Sequence, residues 1–400
     1  MKSKRWAVAA VAVVVALWAQ AQVWSIGAQP QEEANAPETK AKQQAKPAAG
    51  GGQQLPSFTI KGTIEGGKDG QKVYLARLEG NGLVYIDSTE VKGGTYSIKG
   101  RTPDVPQLRF IATQGKGRQV RTDFFLEPGN ITVDLNTAGG IGRIDGSRHN
   151  RIYGEFKDSL VLINAAIVEQ NRLLRDTTLT ATGRSRIFGS IDSLKQVHYD
   201  CAARFATANG DNNVGFLLLT EYYKKWTSPQ LDGVVAALGK QFASLEAMNV
   251  IRAYADHMRL SSPGSRFAPL PETTVTADSA AFDLSRAVGG KDYTLLFFWS
   301  PTDRDSHSDL LALKSIYARY RKERLEVVCF CLESDTTAWQ QALERHSPPG
   351  IQVSDLKGNL SDAKTDYCVD ALPLSILIDR SGTIVARNIT PQQLRRKLTN

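Results

Sequence analysis

Residues 293–310 read YTLLFFWSPTDRDSHSDL, and this stretch decides the predicted fold of the C-terminal third of the chain. Tyr293–Trp299 is a short, continuous apolar run, which is typical of a strand buried on both faces of a parallel sheet. The residues after it place apolar side chains at helical spacing, with cations on the other side. We therefore predict a strand that ends at Trp299 and a helix that follows it.

Three further segments extend this pattern. Leu325–Leu332 is a second apolar run, which a right-handed crossover would place parallel to the first. A helix fits residues 336–345. Residues 374–379 and 383–388 are β-rich and are separated by a Gly-containing turn, which is typical of a hairpin. The sequence thus predicts a mixed α/β domain in which parallel strands precede an antiparallel pair.

The segment from about Pro263 to Asn400 resembles the TlpA- and ResA-like envelope thioredoxins. In that family an FW-x-x-W-C-x-x-C-R segment ends the first central strand. Its opening pair matches Phe298 and Trp299, and its two cysteine positions fall on Asp303 and Ser306. The resemblance implies an α/β thioredoxin-like fold, a family activity of thiol–disulfide exchange, and a cis-proline. A second family stretch, which contains that proline, is matched by Tyr367, Val369, Pro373, Ile378, Asp379, Gly382 and Ile384.

Asp303 and Ser306 cannot carry out thiol–disulfide exchange. A thioredoxin thiol lies at a helix N-terminus because the free amides and the helix dipole stabilise its thiolate. The Asp303 carboxylate would gain the same stabilisation but cannot form a mixed disulfide, and the Ser306 hydroxyl cannot act as a resolving thiol. We interpret both as helix-capping residues and predict no catalytic residue at these positions.

The alternation of Asp303, Asp305, His307 and Asp309 raises a metal site as an alternative. Residues two apart on a helix point to nearly opposite sides, so only an extended loop would bring all four together. We predict neither a metal nor a cofactor. Ser306, His307 and Asp305 are also excluded as a hydrolase triad, because adjacent residues rarely meet with the required geometry.

The four cysteines include no CxxC pair. We expect Cys329 and Cys331 to be buried on one face of their strand, and Cys201 to pack in a helical core. Cys368 lies five residues before Pro373, in a loop that the resemblance places beside the start of the active-site helix. Two alternatives stay open for Cys368: a lone reactive thiol, and burial without chemistry.

The N-terminal residues 1–21 predict a signal peptide. Three cations, at Lys2, Lys4 and Arg5, precede an apolar stretch that ends in small residues. We expect an exported protein in the periplasm or envelope of a Gram-negative bacterium, without a membrane span after cleavage; an uncleaved anchor is the alternative. Residues 22–56 are rich in Gln, Ala, Pro and Lys and predict a disordered linker.

Two further regions precede the thioredoxin-like domain, which we assign to residues 263–400. Residues 57–150 show short β-rich runs between Gly-rich turns and predict a small antiparallel β domain. Residues 151–262 predict a helical connecting region. The first region resembles an uncharacterised all-β domain that precedes thioredoxin domains in many Gram-negative envelope proteins. The matching motifs are Ile86-Asp87-Ser88, Phe125-Leu126-Glu127-Pro128-Gly129 and Gly146-Ser147.

The charge of the chain argues against nucleic acid as a partner. Its formal net charge of +8 is modest for 400 residues, and the cations are dispersed among acids.

We expect an exported, redox-inactive module that binds an extended peptide or an envelope protein by strand addition. The alternatives are a thiol–disulfide oxidoreductase or peroxidase-type enzyme that uses Cys368 with a partner thiol, and a structural scaffold of the envelope. The sequence does not predict the oligomeric state. The resemblance implies that the bound segment lies in a groove beside the cis-proline. The residues that it predicts to line this groove are Trp299, Asp303, Ser306, Leu372, Pro373 and Leu374.

Overall fold

A computed structural model describes residues 56–80, 82–103, 105–113, 120–136 and 142–399. The predicted signal peptide and nearly all of the predicted linker lie outside these residues. The described chain falls into two compact units. The first runs up to Trp226 and includes Gly233–Met248, and the second combines Thr227–Asp232 with the residues from Asn249 onward.

The first unit begins with two small β-sheets. One sheet has the strand order β4-β1-β7-β9, and the short strand β8 also pairs with β1. The other sheet has the order β3-β2-β5-β6. Their buried positions alternate along the strands, as in β1, where Phe58, Ile60 and Ile64 are buried. The strands are β1 (Ser57–Glu65), β2 (Lys72–Glu79), β3 (Gly82–Glu90), β4 (Thr95–Arg101), β5 (Gln107–Thr113), β6 (Arg121–Leu126), β7 (Gly129–Val133), β8 (Leu135–Asn136) and β9 (Ile144–Asp145).

The prediction that this β region is purely antiparallel is wrong. Strand β1 pairs antiparallel with β4, but it pairs parallel with β7 and with β8. Apolar alternation reveals which face of a strand is buried and says nothing about the direction of the strand beside it. The long connection between β1 and β7 is what allows the parallel pairing.

Helices follow the sheets in the first unit. Helix α1 begins where the Ser147 side chain accepts a hydrogen bond from the backbone N–H of Asn150. The buried Asn150 amide then accepts from the backbone N–H of Phe125 and donates to its carbonyl, at 2.8 and 2.7 Å, which fixes α1 to the end of β6. The helices are α1 (Arg148–Leu173), α2 (Ala181–Ala208) and α3 (Asn213–Tyr222), followed by α4 (Ser228–Ala237) and α5 (Glu246–Leu260), which both cross the boundary between the units.

The second unit contains a six-stranded mixed sheet with the order β10-β13-β12-β11-β14-β15. Strands β11, β12 and β13 are parallel, whereas β14 and β15 form an antiparallel pair beside β11. The predicted helices and strands of this segment are present. In chain order the elements are β10 (Val275–Thr276), β11 (Tyr293–Trp299), α6 (Arg304–Tyr320), β12 (Leu325–Cys331), α7 (Thr336–His346), β13 (Ile351–Ser354), α8 (Asp362–Asp366), β14 (Leu374–Asp379), β15 (Ile384–Arg387) and α9 (Pro391–Thr399).

A buried cluster covers each face of this sheet. Leu296 and Phe298 of β11 belong to one cluster, together with Tyr367 and residues of β12 and β14. Leu295, Phe297 and Trp299 belong to the other cluster, which includes the apolar side of α6. Burial on both faces explains why β11 is a continuous apolar run rather than an alternating one. In the described part of the chain, no helix is both long enough and apolar enough to span a bilayer.

Candidate functional site

The candidate site lies where β11 ends and α6 begins. Asp303 is the N-cap of α6, and its carboxylate accepts a hydrogen bond from the backbone N–H of Ser306 at 2.6 Å. Phe298 of β11 is in register with Leu374 of β14, so the loop before α6 and the residues around Pro373 meet at the same end of the sheet. The Leu372–Pro373 peptide bond is cis, as the resemblance implies.

Three of the predicted groove residues do not face solvent. Trp299 and Ser306 are 0% exposed and Leu374 is 3% exposed, so the prediction that their side chains line a groove is wrong. Trp299 continues the alternation of β11 into the cluster beneath α6, and Leu374 does the same in the cluster on the opposite face. The other three predicted groove residues, Asp303, Leu372 and Pro373, are half-buried at this end of the sheet.

Two histidines and an aspartate surround the start of α6. The His307 Nε2 atom lies 2.9 Å from the carbonyl oxygen of Pro301, which holds the loop against the helix. The His307 ring stacks on the ring of His346 from the end of α7. The pKa of Asp309 is raised to about 6, because burial and the nearby charges of Asp305 and Asp303 disfavour its carboxylate.

Two cysteines of the second unit lie in the core beneath α6. Cys329 and Cys331 are fully buried in one cluster, which confirms their predicted shared face. Burial raises the pKa of Cys329 to about 12 and also raises that of Cys331, so both thiols stay protonated at neutral pH. All four cysteines, including the buried Cys201, are free thiols.

Cys368 lies in a polar environment but is buried. Its Sγ atom is 3.8 Å from the carbonyl oxygen of Tyr254, and its backbone has a positive φ of 46°. Arg387 donates from Nη2 to the carbonyl oxygens of Tyr367 and Cys368, at 2.9 and 3.0 Å. The Tyr254 hydroxyl donates to Asp370 at 2.6 Å. The Arg387 guanidinium therefore holds the backbone of this loop in place.

Sequence reasoning missed a partly buried charged cluster in the first unit. Asp123 of β6 accepts hydrogen bonds from the Tyr153 hydroxyl and from Lys157 Nζ, both on α1. Burial raises the pKa of Glu221 well above its ordinary value, and the charge of Asp123 raises it further. The contacts join residues from separate elements, so no local motif could have revealed them. Among the described residues, no three His, Cys, Asp or Glu side chains are grouped as a metal site.

Comparisons with known proteins match only parts of the chain. A family described as "Domain of unknown function (DUF4369)" matches residues 58–153, which comprise the β-sheets and the start of α1. A search of curated proteins found no match.

Several solved structures resemble part of the chain. A thiol-disulfide oxidoreductase from Bacteroides fragilis is 26% identical, with 34% of this chain and 98% of that chain covered and a TM-score of 0.31. The thioredoxin domain of a thiol-disulfide oxidoreductase from Bacteroides vulgatus is 21% identical, with coverage of 34% and 96% and a TM-score of 0.32. A thioredoxin-like protein from Bacteroides caccae is 17% identical, with coverage of 54% and 82% and a TM-score of 0.41.

Proposed function

We propose that this protein is an exported, redox-inactive thioredoxin-like module that binds an extended segment of a partner polypeptide in the cell envelope. The observation that carries the proposal is the hydrogen bond between the Asp303 carboxylate and the Ser306 N–H. A carboxylate that caps the helix occupies the position where the resemblance expects the nucleophilic thiol.

The chemistry of the remaining thiols supports a non-catalytic role. Thiolates, not thiols, attack disulfides, and burial keeps Cys329 and Cys331 protonated. Cys368 is 6% exposed, so a bulky protein disulfide has no direct access to its sulfur. We therefore do not favour an enzyme that uses Cys368.

The proposed binding surface is formed by Asp303, Leu372 and Pro373, at the end of the sheet where β11 stops and β14 starts. It is smaller than the groove expected from the sequence, because Trp299, Ser306 and Leu374 contribute packing rather than contact area. Leu372 supplies a half-buried apolar side chain beside the first strand residue of β14. An extended peptide that lies across this surface would bind through main-chain hydrogen bonds and through one apolar contact.

Insulin reduction tests the redox half of the proposal. We expect no activity above background for the wild-type chain or for Cys368→Ser. The double variant Asp303→Cys/Ser306→Cys restores the family's cysteine spacing and serves as the positive control for the assay. Wild-type activity that disappears in Cys368→Ser would contradict a redox-inactive role.

Site-specific photocrosslinking tests the binding half. A photoreactive amino acid at the exposed Ala371, beside Leu372, should give a discrete crosslinked species in the envelope fraction. The same residue placed at Leu360, which is 84% exposed in the same unit, provides the matched control. The species should weaken when Leu372→Asp is added. Equal crosslinking from positions 371 and 360 would contradict a binding edge at this place.

A further inference from the structure

The outer face of α1 carries apolar side chains that no residue in the described part of the chain covers. Leu162 is 81% exposed and Val168 is 59% exposed, and Val161 and Leu173 are also exposed. Between Leu160 and the end of α1, no residue is buried. Single exposed apolar residues are ordinary, but a run of them along one helix indicates an interaction surface.

These side chains lie on the side of α1 that faces away from α2. The opposite side contacts α2, where Ser159 Oγ lies 3.2 Å from Cys201 Sγ and Asn164 Oδ1 lies 3.2 Å from His198 Nδ1. Val161, Ala165 and Val168 follow one another at intervals of four and three residues. That spacing is the repeat of a coiled-coil seam, and the small Ala165 at its centre permits close approach of a second helix.

The charges at the two ends of this seam have opposite signs. Asp158 lies seven residues before Ala165, and Arg172 lies seven residues after it. Both are exposed, and Arg172 also pairs with Glu169 of its own helix at 2.7 Å. If a second copy of α1 packed antiparallel with Ala165 on the two-fold axis, Asp158 would face the partner's Arg172. A parallel arrangement would instead place like charges side by side.

We propose that the outer face of α1 is a self-association surface on which two copies of this chain pack α1 against α1, antiparallel about Ala165. Because the symmetry is two-fold, each Asp158–Arg172 pair occurs twice and the apolar seam pairs with itself. The seam from Val161 to Val168 covers about two helical turns, which places the contact in the small class of interfaces that associate transiently. The dimer therefore forms in a concentration-dependent manner.

Sedimentation equilibrium of the full chain tests the proposal. The chain mass is 43.8 kDa, and we expect the weight-average mass to rise toward twice that value as concentration increases. Val168→Glu should weaken the dimer by about tenfold or more, because it places a charge in the apolar seam. Leu311→Glu is the matched control, since Leu311 is 70% exposed on α6 and lies outside the seam. Because both side chains are exposed, neither substitution should disturb folding.

Charge reversal tests the antiparallel register. Asp158→Arg should weaken association, because it opposes two cations across the two-fold axis, and Asp158→Arg/Arg172→Asp should restore it. A mass of one chain at every concentration would overturn the proposal, as would a dimer that Val168→Glu leaves unchanged. A double reversal that fails to restore the dimer would overturn the antiparallel register.

Discussion

The imidazole rings of His307 and His346 stack with their centroids 4.0 Å apart and their planes inclined by 22°. This contact joins the first turn of α6 to the last residue of α7. The pKa of His346 lies below its ordinary 6.5, because partial burial disfavours the imidazolium and because His307, Arg345 and Lys314 repel a positive charge there. The pair is therefore stable when His346 is neutral.

Acidification should weaken the contact between His307 and His346 and lower the stability of the protein. A group whose pKa is lowered by folding stabilises the protein above its unfolded pKa and loses that contribution as the pH falls through the folded pKa. We predict that the wild-type midpoint of urea unfolding decreases between about pH 7 and about pH 5 more than the midpoint of His346→Gln. Parallel pH dependences for the two proteins would show that the stacked pair has no such effect.

The Asp303 cap should contribute measurable stability. Asp303→Ala removes the acceptor for the Ser306 N–H, and we expect a loss of about 1 kcal/mol in the free energy of unfolding. Asp303→Asn keeps an acceptor at the same position and should lie closer to the wild type. Urea unfolding of the three proteins measures the difference, and equal losses for Ala and Asn would argue against a capping role.

Replacing Ser306 should stabilise the protein. Its Oγ atom is buried without a hydrogen-bond partner among the described residues, so Ser306→Ala removes an unsatisfied hydroxyl and should add about 1 kcal/mol. Ser375→Ala is the matched control, because the buried Ser375 hydroxyl donates to the carbonyl of Ile389 at 2.7 Å. Because Ser375→Ala removes this hydrogen bond, it should instead destabilise the protein. Thermal unfolding of both variants would reveal the opposite signs, and a loss for Ser306→Ala would indicate that its hydroxyl has a partner.

Asp309 should make the protein less stable as the pH rises. Its folded pKa of about 6 exceeds the ordinary 3.8, so the folded state holds the proton more tightly and stability falls between these two values. Asp309→Asn cannot ionise and should be more stable by about 1 kcal/mol near pH 7.5, after allowance for solvent screening. Near pH 4 the two proteins should be equally stable, and a constant difference across this range would contradict the shifted pKa.

Gly62 should tolerate no side chain. A Cβ atom there would lie 1.8 Å from the carbonyl oxygen of Val133 and 2.7 Å from the Tyr96 ring, which would push β1 away from β7. We expect Gly62→Ala to destabilise the protein by about 3 kcal/mol or more. Gly189→Ala on α2 has open space around the added carbon and should stabilise by about 0.5 kcal/mol. Thermal unfolding of both variants, followed by circular dichroism, would distinguish a large loss of stability from a small gain.

Much of the second unit follows from local patterns. The apolar run of β11, the helical spacing of α6 and the turn before β15 each belong to one contiguous segment, so each could be predicted. Strand β13 was not predicted, because its four residues, Ile351–Ser354, include Gln352 and Ser354 and form no apolar run. Its place in the sheet depends on pairing with β12.

The candidate site was less predictable than the fold. Asp303 was correctly interpreted as a cap, since capping depends on residues three apart in sequence. The same interpretation of Ser306 was wrong, because only its backbone N–H takes part in the cap and its Oγ atom has no partner among the described residues. Trp299 was wrongly placed in a groove, because a continuous apolar run does not reveal which residues end up beneath a helix. The contact between His307 and His346 joins two helices distant in sequence, and no periodicity could indicate it.

Strand β1 has neighbours on both sides, with β4 antiparallel along Ser57–Thr63 and β7 parallel along Phe58–Lys61. A pulling force transmitted through the segment before Pro56 would act along the axis of β1. Both hydrogen-bond ladders would then be loaded in shear and would have to rupture together, instead of unzipping one bond at a time. The β-sheets should consequently resist mechanical extraction from this end more strongly than their small size would suggest.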